Sequence, residues 1–146
     1  MRGDPNNWDS SKDPAPRAKC ADGFEMSVQA RRDVHCTPEE NRDDFEGDYT
    51  EVEIACWPQP ELEGEFREED QDPLFGRLPS GESVYPYISV EIVNAILKRH
   101  GGVIENARFL PPGVKSGYQE SWLAKRWKAL LGWLTERWEA LLGQPL

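Results

Sequence analysis

The chain has 146 residues, with 17 Lys plus Arg against 27 Asp plus Glu and a formal net charge of −10. That length supports one core with flanking segments rather than two full domains. The acidic balance works against a nonspecific nucleic-acid binder, whose phosphate contacts need a basic surface. No apolar run approaches the roughly 20 residues of a membrane-spanning helix, and the polar first residues do not resemble a signal peptide, so a soluble, non-secreted protein is expected.

Residues 1–21 (MRGDPNNWDSSKDPAPRAKCA) hold three prolines, several turn formers and scattered apolar residues. Such a composition offsets little of its ordering entropy, which predicts a disordered arm. The Arg-Gly-Asp at Arg2 to Asp4 is a three-residue match of the kind chance produces often. From Gly23 the pattern changes. Phe24, Met26, Val28 and Ala30 alternate with Glu25, Ser27, Gln29 and Arg31, the period of a strand with one buried face. A second strand follows, with Thr50, Val52, Ile54 and Cys56 on one face and Tyr49, Glu51, Glu53 and Ala55 on the other. The polar link from Asp33 to Asp48 suits an exposed hairpin connection.

Residues 57–79 contain four prolines and a cluster of carboxylates, which predicts a long surface loop. Val84, Tyr85, Tyr87 and Ile88 then form a short strand interrupted by Pro86, so an edge position is expected. Ser89 has N-cap chemistry, and Val90, Ile92, Val93, Ile96 and Leu97 recur at helical spacing until Gly101 and Gly102. Phe109 to Val114 (FLPPGV) reads as an extended segment closing over the core, and Lys115 to Gly117 as a hinge. The expected architecture is α+β. A small antiparallel sheet of about three strands packs with one short helix over residues 22–114, and residues 115–146 form a C-terminal amphipathic helix.

That C-terminal helix is the most specific pattern in the chain. Residues 122–132 (WLAKRWKALLG) and 133–143 (WLTERWEALLG) repeat an eleven-residue unit in tandem, with eight of eleven positions identical. An eleven-residue period is about 3.67 residues per turn, so equivalent side chains nearly superpose along one helix face. Leu123, Leu130, Leu134 and Leu141 fall along its middle. Trp122 and Trp133 border it on one side, and Trp127, Trp138, Leu131 and Leu142 extend the other. Arg126 and Arg137 project between the first tryptophan pair and the leucines, placed to stack on indole or to meet an acidic partner. The polar side carries Lys125 and Lys128 in the first unit, Glu136 and Glu139 in the second. Such a face is too large to stay bare. It packs on the protein's own sheet, pairs with a second copy through residues 122–143, or fills a groove on another protein. A membrane surface is disfavoured by the weak positive charge of the tail and the acidity of the rest.

The chemistry-bearing residues are sparse. Cys20, Cys36 and Cys56 are odd in number and widely spaced, against a disulfide framework and compatible with a reducing compartment. With His35 they have the ligand types of a tetrahedral zinc site, but no C-x-x-C knuckle, and His35 and Cys36 on one strand would face opposite ways. A Cys36/His100 nucleophile pair has no loop to orient an oxyanion. No Gly-rich phosphate loop, serine elbow, H-E-x-x-H or EF-hand pattern is present, so no catalytic residue and no cofactor are expected. Between Thr37 and Asp72 lie 15 Asp or Glu against Arg42 and Arg67. Glu61, Glu63, Glu65, Glu68, Glu69, Asp70 and Asp72 are the densest part, a surface suited to steering a basic partner or to keeping the protein in solution.

ADGFEMSVQA (Ala21 to Ala30), His35-Cys36-Thr37-Pro38, DYTEVEIACWPQPE (Asp48 to Glu61), VYPYISVEIVNAILKRHGGV (Val84 to Val103) and LPPGV (Leu110 to Val114) occur in an order that resembles a group of small proteins encoded by tailed bacteriophages. The resemblance covers roughly two-thirds of the chain and omits the N-terminal arm and the duplicated helix. It carries no activity and no site residues. It implies a phage product in the cytoplasm of an infected cell, with a place in the virion as the alternative. The function expected is that of a non-enzymatic accessory protein that modulates a host or defence protein through the acidic surface and the helix face. A minor virion or assembly component oligomerising through the helix, and a zinc-stabilised interaction module, are the other readings. No direct nucleic-acid contact is expected.

Overall fold

The computed structural model describes residues 5–65, 78–119, 127 and 129–137. Among these, one antiparallel sheet is built from β1 (Ala18–Cys20), β2 (Glu25–Gln29), β3 (Glu51–Cys56), β4 (Ser83–Ser89) and β5 (Val103–Glu105), in the spatial order β4-β3-β2-β1-β5. Helix α1 (Val90–Arg99) follows β4 directly, and residues 129–137 are also helical. The α+β class is as the sequence predicts, but the sheet has five strands, not three.

Alternation in β2 and β3 sets the core. Met26 and Val28 share the inner face with Val52, Ile54 and Cys56, all essentially inaccessible to water, while Glu25, Ser27, Gln29, Glu51 and Glu53 lie on the other face. From α1, Val93, Ile96 and Leu97 come down onto that inner face. Burying each such aliphatic side chain contributes about 1.5–3 kcal/mol. The helix begins where Ser89 Oγ accepts from the Glu91 N–H at 3.3 Å, and Glu91 in the first turn with Lys98 and Arg99 in the last complements the helix dipole.

β4 is an edge strand, as Pro86 predicts. The interruption is a bulge. Val52 pairs with Ile88 and Ile54 with Tyr85, so Pro86 and Tyr87 together oppose Glu53. The extra residue switches the inward positions from Ser83 and Tyr85 to Ile88. Tyr87 takes a left-handed φ of 51° there, and its N–H leaves the ladder to donate to the His35 carbonyl at 3.0 Å.

Residues 1–21 are not a disordered arm throughout. β1 lies inside the sheet between β2 and β5, with Ala18 opposite Met26 and Lys19 opposite both Glu25 and Glu105. Three residues are too few to show a period, and their stability comes from two neighbouring strands rather than from their own composition. The segment before β1 is tied as well. The Gln29 side chain accepts from the Ala15 N–H at 2.7 Å and donates to its carbonyl at 3.0 Å, imitating a strand partner. Trp8 meets Phe109 edge to face at 5.2 Å, with the Arg42 guanidinium 4.9 Å over its ring.

The FLPPGV segment does close over the core, with Phe109, Pro111 and Val114 buried and the Pro112 carbonyl accepting from the Tyr49 N–H at 2.9 Å. Phe109 itself ends a short 3-10 turn, Ala107–Phe109, rather than an extended run. Lys115 to Gly117, expected to be a hinge, is latched. The Ser116 carbonyl accepts from the Val103 N–H at 2.8 Å, and Asn94 Oδ1 accepts from the Lys115 N–H at 2.8 Å. A Cβ on Gly102 would stand 2.2 Å from the Tyr118 Cα, so glycine is what lets the chain cross here.

Candidate functional site

The residues singled out in the sequence fall on two surfaces. The first is the tail helix. Alanine, leucine and long charged side chains favour the helical state, and Thr135 Oγ1 donates to the Leu131 carbonyl one turn back at 2.8 Å. Every described side chain at 127 and 129–137 is exposed. Trp127 is 62% exposed, Leu131 56%, Trp133 50%, Leu134 47% and Leu130 44%, so this stripe is not packed on the sheet. Arg137 stacks over the Trp133 ring with its guanidinium carbon 5.0 Å from the centroid. Trp122, Arg126 and Trp138 lie outside the described residues.

The second surface is acidic, and the structure sorts its carboxylates. Glu61 is committed: it takes the Arg99 guanidinium at both oxygens, Oε1 from Nε and Oε2 from Nη2 at 3.0 Å. That partner holds the Glu61 carboxyl below the usual carboxylate range. Glu63 and Glu65 are exposed. Glu68, Glu69, Asp70 and Asp72 lie outside the described residues. Upstream, Glu39, Glu40, Asp43, Asp44, Glu46 and Asp48 are all exposed along the link between β2 and β3, as the sequence predicts. That link is nevertheless anchored at Cys36, which is fully buried, and at Tyr49, whose hydroxyl donates to the Glu40 carbonyl at 2.6 Å. The acidic side chains are therefore presented from an ordered backbone.

Two histidine clusters were not legible from spacing. His35 Nδ1 stands 2.8 Å from Glu53 Oε2, its ring meets Tyr87 edge to face at 5.4 Å, and the Tyr87 hydroxyl donates to Glu39. The bulge makes this cluster by swinging Tyr87 out of the ladder. At the other end of the sheet, His100 Nδ1 stands 2.6 Å from Asp22 Oδ2 and Nε2 stands 2.8 Å from Gln59 Oε1. The Gln59 amide is oriented by its own N–H groups, which donate to the Trp57 and Pro58 carbonyls at 3.0 and 3.1 Å. Phe24 stacks on the His100 imidazole at 3.9 Å, and Arg99 also donates to Gln59. Asp22 is held below the usual carboxylate range, first by the Phe24 backbone N–H and then by His100. This second cluster ties together the β1–β2 turn, the end of α1 and the loop after β3.

Cys20, His35, Cys36 and Cys56 do not converge. Among the described residues no group of three or more His, Cys, Asp or Glu side chains is arranged to hold a metal ion. Each thiol has its own surroundings. Cys36 Sγ donates to the Arg31 and Pro38 carbonyls at 3.2 and 3.3 Å, and burial pushes Cys20 up to about 11 and Cys56 up to about 12. Burial likewise raises Cys36, which opposes thiolate formation, and His100 is engaged by Asp22 and Gln59, so the two do not form a nucleophile pair. Among the described residues no helix is long and apolar enough to cross a membrane.

No protein-family model matches the chain, and neither a curated protein nor a solved structure is significantly similar to it.

Proposed function

We propose that this chain is a non-enzymatic binding protein in which an acidic α+β body carries a tryptophan-rich helix to a protein partner. The observation that carries the proposal is the exposure of the whole described stripe on residues 127 and 129–137. Large aromatic side chains left in water beside a well-filled core are the composition of an interface anchor, not of a solvated surface. The ordered carboxylates along 39–48, with Glu63 and Glu65, add long-range attraction toward a basic partner and raise the rate of encounter. The sequence pattern that resembles small phage proteins supports, as part of this proposal, a partner in an infected cell: a host or defence protein that the chain modulates. Assembly into a virion through the same helix is the competing reading, and recovery of the chain from purified particles would favour it.

The experiment is affinity capture from infected-cell lysate with the full chain beside two variants that leave the core untouched, Trp127→Ala/Trp133→Ala and Glu63→Gln/Glu65→Gln. A partner retained by the parent is expected to be lost from the first variant and captured more slowly by the second. Capture unchanged by both variants would sink the proposal.

A further inference from the structure

His100 ends α1, and its ring is held between two other elements. The side chain is 15% exposed, so a mismatched contact there is not repaired by free water. Each ring nitrogen faces an oxygen. Nδ1 stands 2.6 Å from Oδ2 of Asp22, whose carboxyl is held below the usual carboxylate range and is therefore ionised, an acceptor only. Nε2 stands 2.8 Å from Gln59 Oε1. That amide is not free to turn its nitrogen toward the ring instead. Arg99 donates to the same oxygen, and the amide nitrogen donates to the Trp57 and Pro58 carbonyls. With acceptors on both sides both ring nitrogens must donate, and only the imidazolium does that.

The charges around the ring suit that form. Asp22 comes from the β1–β2 turn, Glu61 from the loop after β3 and Arg99 from α1 itself, where it is ion-paired with Glu61. Two carboxylates thus stand beside one other cation, at a helix C-terminus that favours positive charge. When the ring gives a proton to solvent, the charge-assisted bond to Asp22 keeps the hydrogen on Nδ1. The lone pair then appears on Nε2, against the Gln59 oxygen. The contact to the β1–β2 turn survives, and the contact to the loop after β3 becomes repulsive.

We propose that His100 is a proton-operated latch on that loop: the imidazolium holds Gln59, and the neutral ring releases the segment that displays Glu63 and Glu65. Buried Leu62 and the Arg99–Glu61 pair keep the loop attached, so release is a local loosening. The device sets how rigidly part of the acidic surface is presented, whichever partner it meets.

Nitrogen NMR of the labelled full chain tests it from about pH 5 to 8, the range in which histidine changes charge. With rising pH the Nε2 proton of His100 should be lost and the Nδ1 proton kept. The Leu62, Glu63 and Glu65 amides donate within the loop to the Gln59, Pro60 and Leu62 carbonyls. Their exchange should quicken about tenfold beyond the intrinsic effect of pH, with the midpoint of the His100 titration. The Phe24 amide, which donates to Asp22 Oδ1 at 3.0 Å, should keep its protection. In His100→Gln the loop response should vanish although His35 still titrates. Loss of the Nδ1 proton first, or loop protection that ignores the His100 midpoint, overturns the proposal, and so does a loop response that persists in His100→Gln.

Discussion

Helix α1 and the helix over residues 129–137 are both amphipathic, and they meet opposite surroundings. In α1 the stripe is Val93, Ile96 and Leu97, compact aliphatic side chains with no exposure at all. In the tail the stripe is Leu130, Leu134, Trp133 and Arg137, all in water. Periodicity announces that a face exists, but composition says which kind of surface it meets. Small branched side chains interdigitate with a sheet, whereas tryptophan and arginine give contact area with a polar handle and recur where two molecules meet.

Removing side chains from the two stripes is the largest way to break that contrast. Ile96→Ala or Leu97→Ala is expected to cost the body about 2–5 kcal/mol, while Leu130→Ala should leave unfolding within about 0.5 kcal/mol of the parent. Urea denaturation measures both, and a large loss in Leu130→Ala would mean the tail stripe is part of the core. Two glycines sharpen the same contrast. Gly102 sits at φ +83° under the Tyr118 backbone, so Gly102→Ala should lose on the order of 1–3 kcal/mol. Gly132 lies on the exposed helix with nothing within 4 Å of its Cβ position, and Gly132→Ala should add helicity worth about 0.5–1 kcal/mol to that helix alone. Circular dichroism of the two variants separates the effects.

A smaller effect distinguishes carboxylates that hold the body together from those free to meet a partner. Asp22 and Glu61 are both held below the usual carboxylate range, by the Phe24 N–H and His100 and by Arg99 respectively. A depressed native value favours the folded state above the ordinary range, and that contribution disappears as pH falls through the native value. Asp22→Asn/Glu61→Gln should therefore be less stable than the parent at neutral pH and converge on it in acid. Glu63→Gln/Glu65→Gln, at exposed positions, should shift the urea midpoint little at any pH. A gap for the first pair that stayed constant with pH would contradict the assignment. Smallest of all, the buried thiols, with Cys56 pushed up to about 12, should resist a thiol reagent at mildly alkaline pH until the chain unfolds.

The elements that the sequence disclosed are those long enough to show a period. Met26 and Val28, Val52 through Cys56, and the run from Ser89 to Gly102 all lie where alternation or capping places them, and Pro86 marked the edge strand. β1 and β5 escaped because three residues such as Ala18–Cys20 carry no period, and their pairing is supplied by distant strands. The same limit hid the clusters around His35 and His100. Glu53 stands 18 residues from His35 and Asp22 stands 78 from His100, so register and a bulge bring them together, not spacing. Of the candidate surfaces, the tail stripe was visible as a repeat, but its exposure was not, and Glu61 looked like a member of an acidic patch until its arginine was seen.

Hydrogen exchange on the full chain tests the central claim most directly. Amides of β2, β3 and α1 should be strongly protected, and those of residues 129–137 should exchange near the rate of a marginal isolated helix, because their side chains are exposed among the described residues. Protection across 129–137 equal to that of α1 would contradict the account, since the stripe would then already be covered in the free protein.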